Sequence, residues 1–247
     1  MIVEVKTCPQ CGSINLIRFG KNSAGTPRCR CKDCGACRVL VPKRPELTPE
    51  RQELVVKTYQ ERNSTRSTGR IFGISHVTVQ NWLKKAKSLS LFKETIQPAK
   101  PENFLAVDEV FTFIKMKINK LRIWIVQCRR TRQILSFVIG DGSMDACKRL
   151  WRKLPTEYLY CFSLSDFWKA YNCIPQTTHQ KAGKESGETC HIERLNNTIR
   201  QRFSRMVRKT LSFSKKEYML DLHFKLWAWH YNLFVAPLIA QKLETNY

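Results

Sequence analysis

A chain of 247 residues with 43 Lys and Arg against 20 Asp and Glu, a formal charge of +23, exceeds one ordinary domain and attracts polyanions. The excess is shared between the first hundred residues and the rest, which excludes a neutral globule with one basic tail. Duplex DNA is the leading partner, because each neutralised phosphate releases condensed counterions. A membrane is the weaker one: no N-terminal signal pattern appears, and the apolar stretch Leu222–Val235 is broken by His223, Lys225, His230 and Asn232. The expected location is the cytoplasm, on the nucleoid, with no membrane contact.

Residues 1–45 lack the apolar periodicity of a self-supporting core. They hold Cys8-Pro-Gln-Cys11-Gly and Cys31-Lys-Asp-Cys34-Gly, whose spacing fits a ribbon with four thiolates around structural zinc. Cys31 is preferred to Cys29 because only Cys31 repeats the first knuckle, and Cys37 is left as a further thiol. A disulfide scaffold does not suit a reducing cytosol.

Residues 46–92 read as a helix-turn-helix domain. Thr48-Pro49-Glu50 opens a helix, with a cap, a first-turn proline and an acid at the positive end. Ser64–Phe72, Gly73-Ile74-Ser75 and His76–Lys87 then read as helix, tight turn, second helix. Ile71, Ile74, Val79, Trp82 and Leu83 are assigned to the inner face. His76, Thr78, Gln80, Asn81, Lys84 and Lys85 face outward, combining base-reading amides and hydroxyls with phosphate-binding cations.

Two prolines mark residues 93–102 as a linker, and a larger domain occupies 103–247. Phe104–Ile114, Arg122–Gln127 and Ile134–Ile139 are expected strands, followed by a helix near Met144–Leu154 and a strand at Tyr158–Ser165. This order predicts a meander leading into a crossover, and an α+β multidomain chain overall.

Asp108 interrupts an apolar run in which an uncompensated charge is expensive to bury, and Asp166 ends a second apolar strand. Of the acids that follow, Glu185 and Glu188 lie in a Gly-rich loop. Glu193 opens a helix with the stripe Ile192, Leu195, Ile199, Phe203 and Met206, which seats it on the sheet. Three acids suit two magnesium ions roughly 3.5–4 Å apart performing phosphoryl transfer. The competing reading pairs them with the chain's many cations. Glu109 is expected as an outer neighbour, and Asp141 in Gly-Asp-Gly-Ser as a turn residue. Arg200, Arg202, Arg205, Arg208 and Lys209 belong to an acid-free basic segment that is a candidate DNA track, the alternative being a solvated helix face.

These motifs, with Thr78-Val79-Gln80-Asn81-Trp82, Ser165-Asp166-Phe167-Trp168-Lys169-Ala170-Tyr171 and His191-Ile192-Glu193-Arg194-Leu195-Asn196-Asn197, resemble the transposases of the insertion-sequence-one type within the DDE group. The resemblance extends through Arg208-Lys209-Thr210-Leu211-Ser212-Phe213-Ser214-Lys215 and spans nearly the whole chain. It implies an RNase H-like mixed-sheet α/β catalytic domain with Asp108, Asp166 and Glu193 as acidic triad, loaded with Mg or Mn. It further implies binding to terminal inverted repeats, release of a 3′-hydroxyl by water, and attack of that hydroxyl on target DNA without a covalent enzyme intermediate. Joining two ends calls for a homo-oligomer. His191 and Asn197 stand beside Glu193 either as phosphate or water contacts or as structural groups. Competing functions are a non-catalytic DNA-binding regulator using the N-terminal modules, and a nuclease that cuts without joining.

Overall fold

The computed structural model describes residues 6–23, 25–39, 47–85, 95–206 and 212–244. Three short antiparallel strands, β1 (Leu16–Lys21), β2 (Pro27–Cys31) and β3 (Cys37–Arg38), form the first sheet in chain order. After Leu16 the side chains of β1 are all exposed, so apolar burial does little to hold this sheet. A different tie is needed there.

Three helices follow. Helix α1 (Pro49–Gln60) starts where the Thr48 hydroxyl accepts the Arg51 N–H at 3.2 Å. Helix α2 (Thr65–Phe72) starts on a reciprocal cap between Ser64 and Ser67 and stops at Gly73, whose φ of 65° suits a residue without Cβ. Helix α3 spans His76–Lys85. Helices α2 and α3 meet at Gly69, where a Cβ would stand 2.8 Å from the Ile74 carbonyl oxygen. That approach turns Phe72, three residues on, towards Ile74, Val79, Trp82 and Leu83. Ile71, expected in this core, therefore points outward and is 61% exposed. Residues 86–94, which include the expected end of the last helix and the start of the linker, lie outside the described residues.

Residues 95–103 are laid onto the larger region that follows. The Thr95 carbonyl accepts from the Gln133 amide at 2.5 Å, and Gln133 in turn accepts the Gln97 N–H at 3.0 Å. The meander is β4 (Phe104–Phe113), β5 (Lys120–Cys128) and β6 (Ile134–Gly140), antiparallel throughout. Helix α4 (Met144–Arg152), capped by Ser143, carries the chain across one face. It lets β7 (Phe162–Ser165) pair parallel to β4, and β8 (His179–Lys181) parallel to β7. The strand order is β6-β5-β4-β7-β8. The fourth strand starts later than the expected Tyr158. Pro155 accepts the Tyr158 N–H at 2.9 Å, closing a tight turn that sinks the Tyr158 ring into the core before extended chain resumes at Phe162.

Both faces of the sheet are covered. Helices α5 (Cys190–Arg202) and α6 (Glu217–His230) pack Leu195, Ile199, Phe224 and Trp227 against Val110, Ile123 and Ile125. On the other face, α4 and the turn Lys169–Cys173 bury Leu150 and Tyr171 against Leu105, Val107 and Trp124. Beyond α6, a π-helical segment, Tyr231–Val235, precedes α7 (Ala236–Glu244). Within it the Asn232 amide bonds both the N–H and the carbonyl of Ile134, at 2.8 and 2.9 Å, completing the start of the edge strand β6. No helix among the described residues is long and apolar enough to cross a membrane.

Helix α6 has a second buried side. Leu222 and Leu226 join Val55, Tyr59, Val79 and Leu83 in one apolar cluster, which seats α1 and α3 on the larger region. A polar chain runs beside it. Arg205 Nη2 lies 2.7 Å from His223 Nε2, and His223 Nδ1 lies 2.9 Å from the Tyr59 hydroxyl. Arginine only donates, so Nε2 accepts and the imidazole proton sits on Nδ1, donated to Tyr59. Burial, reinforced by the Arg205 charge, lowers the His223 pKa to about 3 and holds the ring neutral. Tyr59→Phe strands this buried N–H, and we expect it to lower the unfolding free energy by about 1–3 kcal/mol in urea titrations. An unchanged midpoint would deny the hydroxyl any part in the docking.

Candidate catalytic acids and metal-binding cysteines

The two knuckles fold alike. Gly12 N–H bonds the Cys8 carbonyl and Gly35 N–H the Cys31 carbonyl, at 2.8 and 3.1 Å, and both glycines adopt φ above 70°. The thiols of Cys8, Cys11, Cys31 and Cys34 converge so that all four Sγ atoms lie within 4.8 Å of one another. Cys8 and Cys34 sulfurs are 3.7 Å apart, and those of Cys11 and Cys31 are 3.6 Å apart. Four sulfurs about 2.3 Å from a tetrahedral zinc stand about 3.8 Å from each other, so the cage fits the ion.

Its electrostatics suit a cation. The Cys34 amide pulls the Cys31 thiol down to about 7. At Cys11 the Ser13 amide acts in the same direction, yet the neighbouring thiols and burial push the group up to about 12. Four thiolates therefore do not coexist without a metal charge between them. Cys29 and Cys37 sit on β2 and β3, opposite Arg38 and Arg30, and are not in the cage. We expect one zinc per chain by elemental analysis, lost in Cys31→Ser and retained in Cys29→Ser.

The acids come from three elements. Asp108 is in the middle of β4, the central strand. The parallel register pairs Ala106 with Leu164, and continuing it by two residues brings Asp166, just past β7, level with Asp108. Glu193 is in the first turn of α5, where its carboxylate accepts from the Thr189 hydroxyl at 3.2 Å. Burial pushes Asp108 up to about 7, against the pull of the Glu109 amide, and the charges of Glu109, Asp166 and Glu193 add to the rise. Asp166 Oδ1 accepts the Trp168 N–H at 2.9 Å. The three carboxylates are close enough to repel but do not gather within 4.8 Å of one another. Among the described residues, no ion pair involves any of them.

Two contacts escaped the sequence reading. Asn196, one turn beyond Glu193, donates its amide to Asp108 Oδ2 at 2.6 Å, while its buried Oδ1 has no partner among the described residues. Glu109 points to the opposite face of β4, where Arg122 reaches it at 2.7 Å and the Tyr171 hydroxyl donates to its other oxygen. Arg122 also lies over the Trp168 ring, 4.3 Å from its centre, so Glu109 is latched into the wall behind Asp166. Asp141 accepts from the Ser143 N–H and hydroxyl, as a turn residue does. Glu188 pairs with Arg129.

His191 lies beside Arg132, and burial with the surrounding arginines lowers its pKa to about 4. Asn197 is exposed. On α3, His76, Asn81 and Lys84 are exposed, while Thr78 and Gln80 are half-buried. Arg200 and Arg202 end α5, where Arg202 pairs with Glu61 at 3.9 Å. Arg205 is half-buried, with Nη1 on Ser214 at 3.2 Å and Nη2 on His223. Arg208, Lys209 and the side chain of Lys85 lie outside the described residues.

The IS1 transposase family model matches residues 104–232, the span that carries all three acids. The chain belongs to the IS1 transposase family. Insertion element iso-IS1n protein InsB of Shigella dysenteriae is 30% identical over 121 residues, 49% of this chain and 87% of that protein. Two solved structures overlap more loosely. One, a simian T-cell lymphotropic virus intasome in complex with PP2A regulatory subunit B56 gamma, gives a TM-score of 0.31 at 12% identity, over 70% of this chain and 67% of that one. The other, a Mos1 transposase paired-end complex with the left transposon end, gives 0.34 at 8% identity, over 84% and 82%.

The Asp108 shift sets a sign for stability. Its folded pKa, about 7, stands above the ordinary aspartate value of 3.8, so the folded state holds the proton more tightly and loses stability as pH rises between those values. In metal-free buffer at pH above about 7, Asp108→Asn is expected to melt several degrees higher than the parent protein. The difference should vanish in acid, where both side chains are neutral. A lower melting point at alkaline pH would contradict the assigned cost of burying this charge among other acids.

Proposed function

We propose that this IS1 transposase family member is a metal-dependent enzyme that binds the terminal inverted repeats of its own insertion sequence, cleaves there and transfers the strand into target duplex DNA. The observation that carries the reading is the state of the acids. In a chain of charge +23, the charges of Asp166 and Glu193 both act on Asp108, and no Lys or Arg among the described residues pairs with any of the three. This disfavours the reading in which they serve as ordinary ion-pair partners.

The strand order β6-β5-β4-β7-β8, with an antiparallel meander and parallel additions, supports an RNase H-like catalytic domain over 103–247. The four-thiol cluster and the three helices ahead of the sheet fit our division into a zinc ribbon at 1–45, a helix-turn-helix at 46–92 and a linker at 93–102. The hard oxygen donors and the unpartnered Asn196 Oδ1 fit Mg or Mn, held by Asp108, Asp166 and Glu193. Such ions, when bound, polarise the phosphodiester and lower the pKa of the attacking hydroxyl. The protein's own share is positioning. Asn196 aims Asp108, Thr189 steadies Glu193, and the Trp168 amide orients Asp166. The Arg122–Glu109–Tyr171 latch stiffens the wall beneath Asp166. A water and then the freed 3′-hydroxyl attack in turn, without an enzyme-bound intermediate, and synapsis of two ends is the work of a homo-oligomer.

The test uses duplexes tiled from the DNA flanking the reading frame. Parent protein with magnesium should nick an end and join it to a second duplex. Asp166→Asn should lower both products more than about a hundredfold while end binding persists. Binding without any metal-dependent product from the parent would return the protein to the regulator class, and cleavage without joining to the nucleases.

A further inference from the structure

Helix α3 does not present its readers to open solvent alone. His76, Gln80 and Lys84, each one turn from the next, line a cleft of about 670 Å3 whose other wall belongs to the larger region. That wall supplies Arg205, Lys215 and Lys216, and α2 supplies Arg66 and Arg70. The cleft thus has six lysines and arginines among its lining residues and no carboxylate. Among the described residues none of those six forms an ion pair.

Like charges collected at this density repel unless a polyanion lies between them. The walls are also held in fixed relation. Val79 and Leu83, on the buried side of α3, pack with Leu222 and Leu226 of α6, and Arg205 is tied through His223 to Tyr59 of α1. We propose that this cleft seats one phosphate backbone of a DNA duplex between its walls: α3 reads base edges of that duplex through Gln80 and His76, and Lys215 and Lys216 hold the phosphates of the same helical turn. The helix-turn-helix is then a fixed arm of the catalytic region, and the docking sets how far the recognised bases lie from the acids. This rests on the DNA-acting reading above and adds to it a shared site that neither module forms alone.

The full chain is titrated with salt while binding a short fluorescent duplex tiled from the flanking DNA. The double variant Lys215→Gln, Lys216→Gln should lower the slope of log affinity against log salt by about 2, close to 0.9 for each lost contact. Lys148→Gln, on the opposite face of the sheet, should leave it unchanged. Gln80→Ala should keep the slope and blur base preference. Ethylation interference should place the phosphates lost in the lysine variant within about one turn, roughly 10 base pairs, of the bases whose preference Gln80→Ala blurs. A slope unchanged in the lysine variant, a Lys148→Gln effect of equal size, or a separation beyond one turn overturns the shared grip alone. Failure of the parent protein to bind any duplex overturns the DNA-acting reading with it.

Discussion

The parallel pairing of β4 with β7 is the constraint from which the rest of the larger region follows. An antiparallel neighbour can be reached by a tight turn, as β5 and β6 are; a parallel one requires the chain to cross a face of the sheet first. Helix α4 makes that crossing, and its buried Ala146, Cys147 and Leu150 cover one face. Only in that arrangement do a mid-strand residue and a strand-end residue from separate segments come level, and those residues are Asp108 and Asp166. Helix α5 then closes the opposite face and delivers Glu193 and Asn196 along the same strand.

Two opposed electrostatic regions result. At the sheet, burial and mutual repulsion make ionised acids costly, which raises Asp108. In the cleft between α3 and the 212–216 segment, cations face cations. Each region is unfavourable in the free protein, and a partner of the opposite sign would relieve it. The ribbon follows the same logic on a smaller scale. Its thiols lie at zinc-cage spacing, and Cys11 resists ionisation unless a cation lies among them.

Much of this was legible in residue patterns. The cost of a carboxylate inside Phe-Leu-Ala-Val-Asp-Glu-Val singled out Asp108, and the matching knuckles chose Cys31 over Cys29. What was not legible depends on close approach or on partners distant in sequence. Gly69 lets α2 lean on Ile74, which exchanges Phe72 for Ile71 in the core, and helical periodicity alone does not encode that rotation. Asn196 is one polar residue among several on α5, and its partner lies 88 positions earlier. Tyr158 fits a strand by composition, yet Pro155 bends the chain before it.

The docking of α1 and α3 on α6 was the least legible feature, and its physics explains why. Leu222, Leu226 and His223 read as parts of one apolar stretch, since a helix buried on two sides loses the single stripe that reports its orientation. Leu83, assigned to the inner face of the helix-turn-helix, also closes the core shared with α6 and is 1% exposed. The neutral His223 adds direction to that apolar seat, because its two nitrogens have fixed and opposite roles, accepting from Arg205 and donating to Tyr59. Apolar contact alone lets two helices slide by a turn at modest cost, whereas a buried donor–acceptor chain penalises every register but one. The position of α3 relative to the acids is therefore set by this polar chain as much as by the leucines around it.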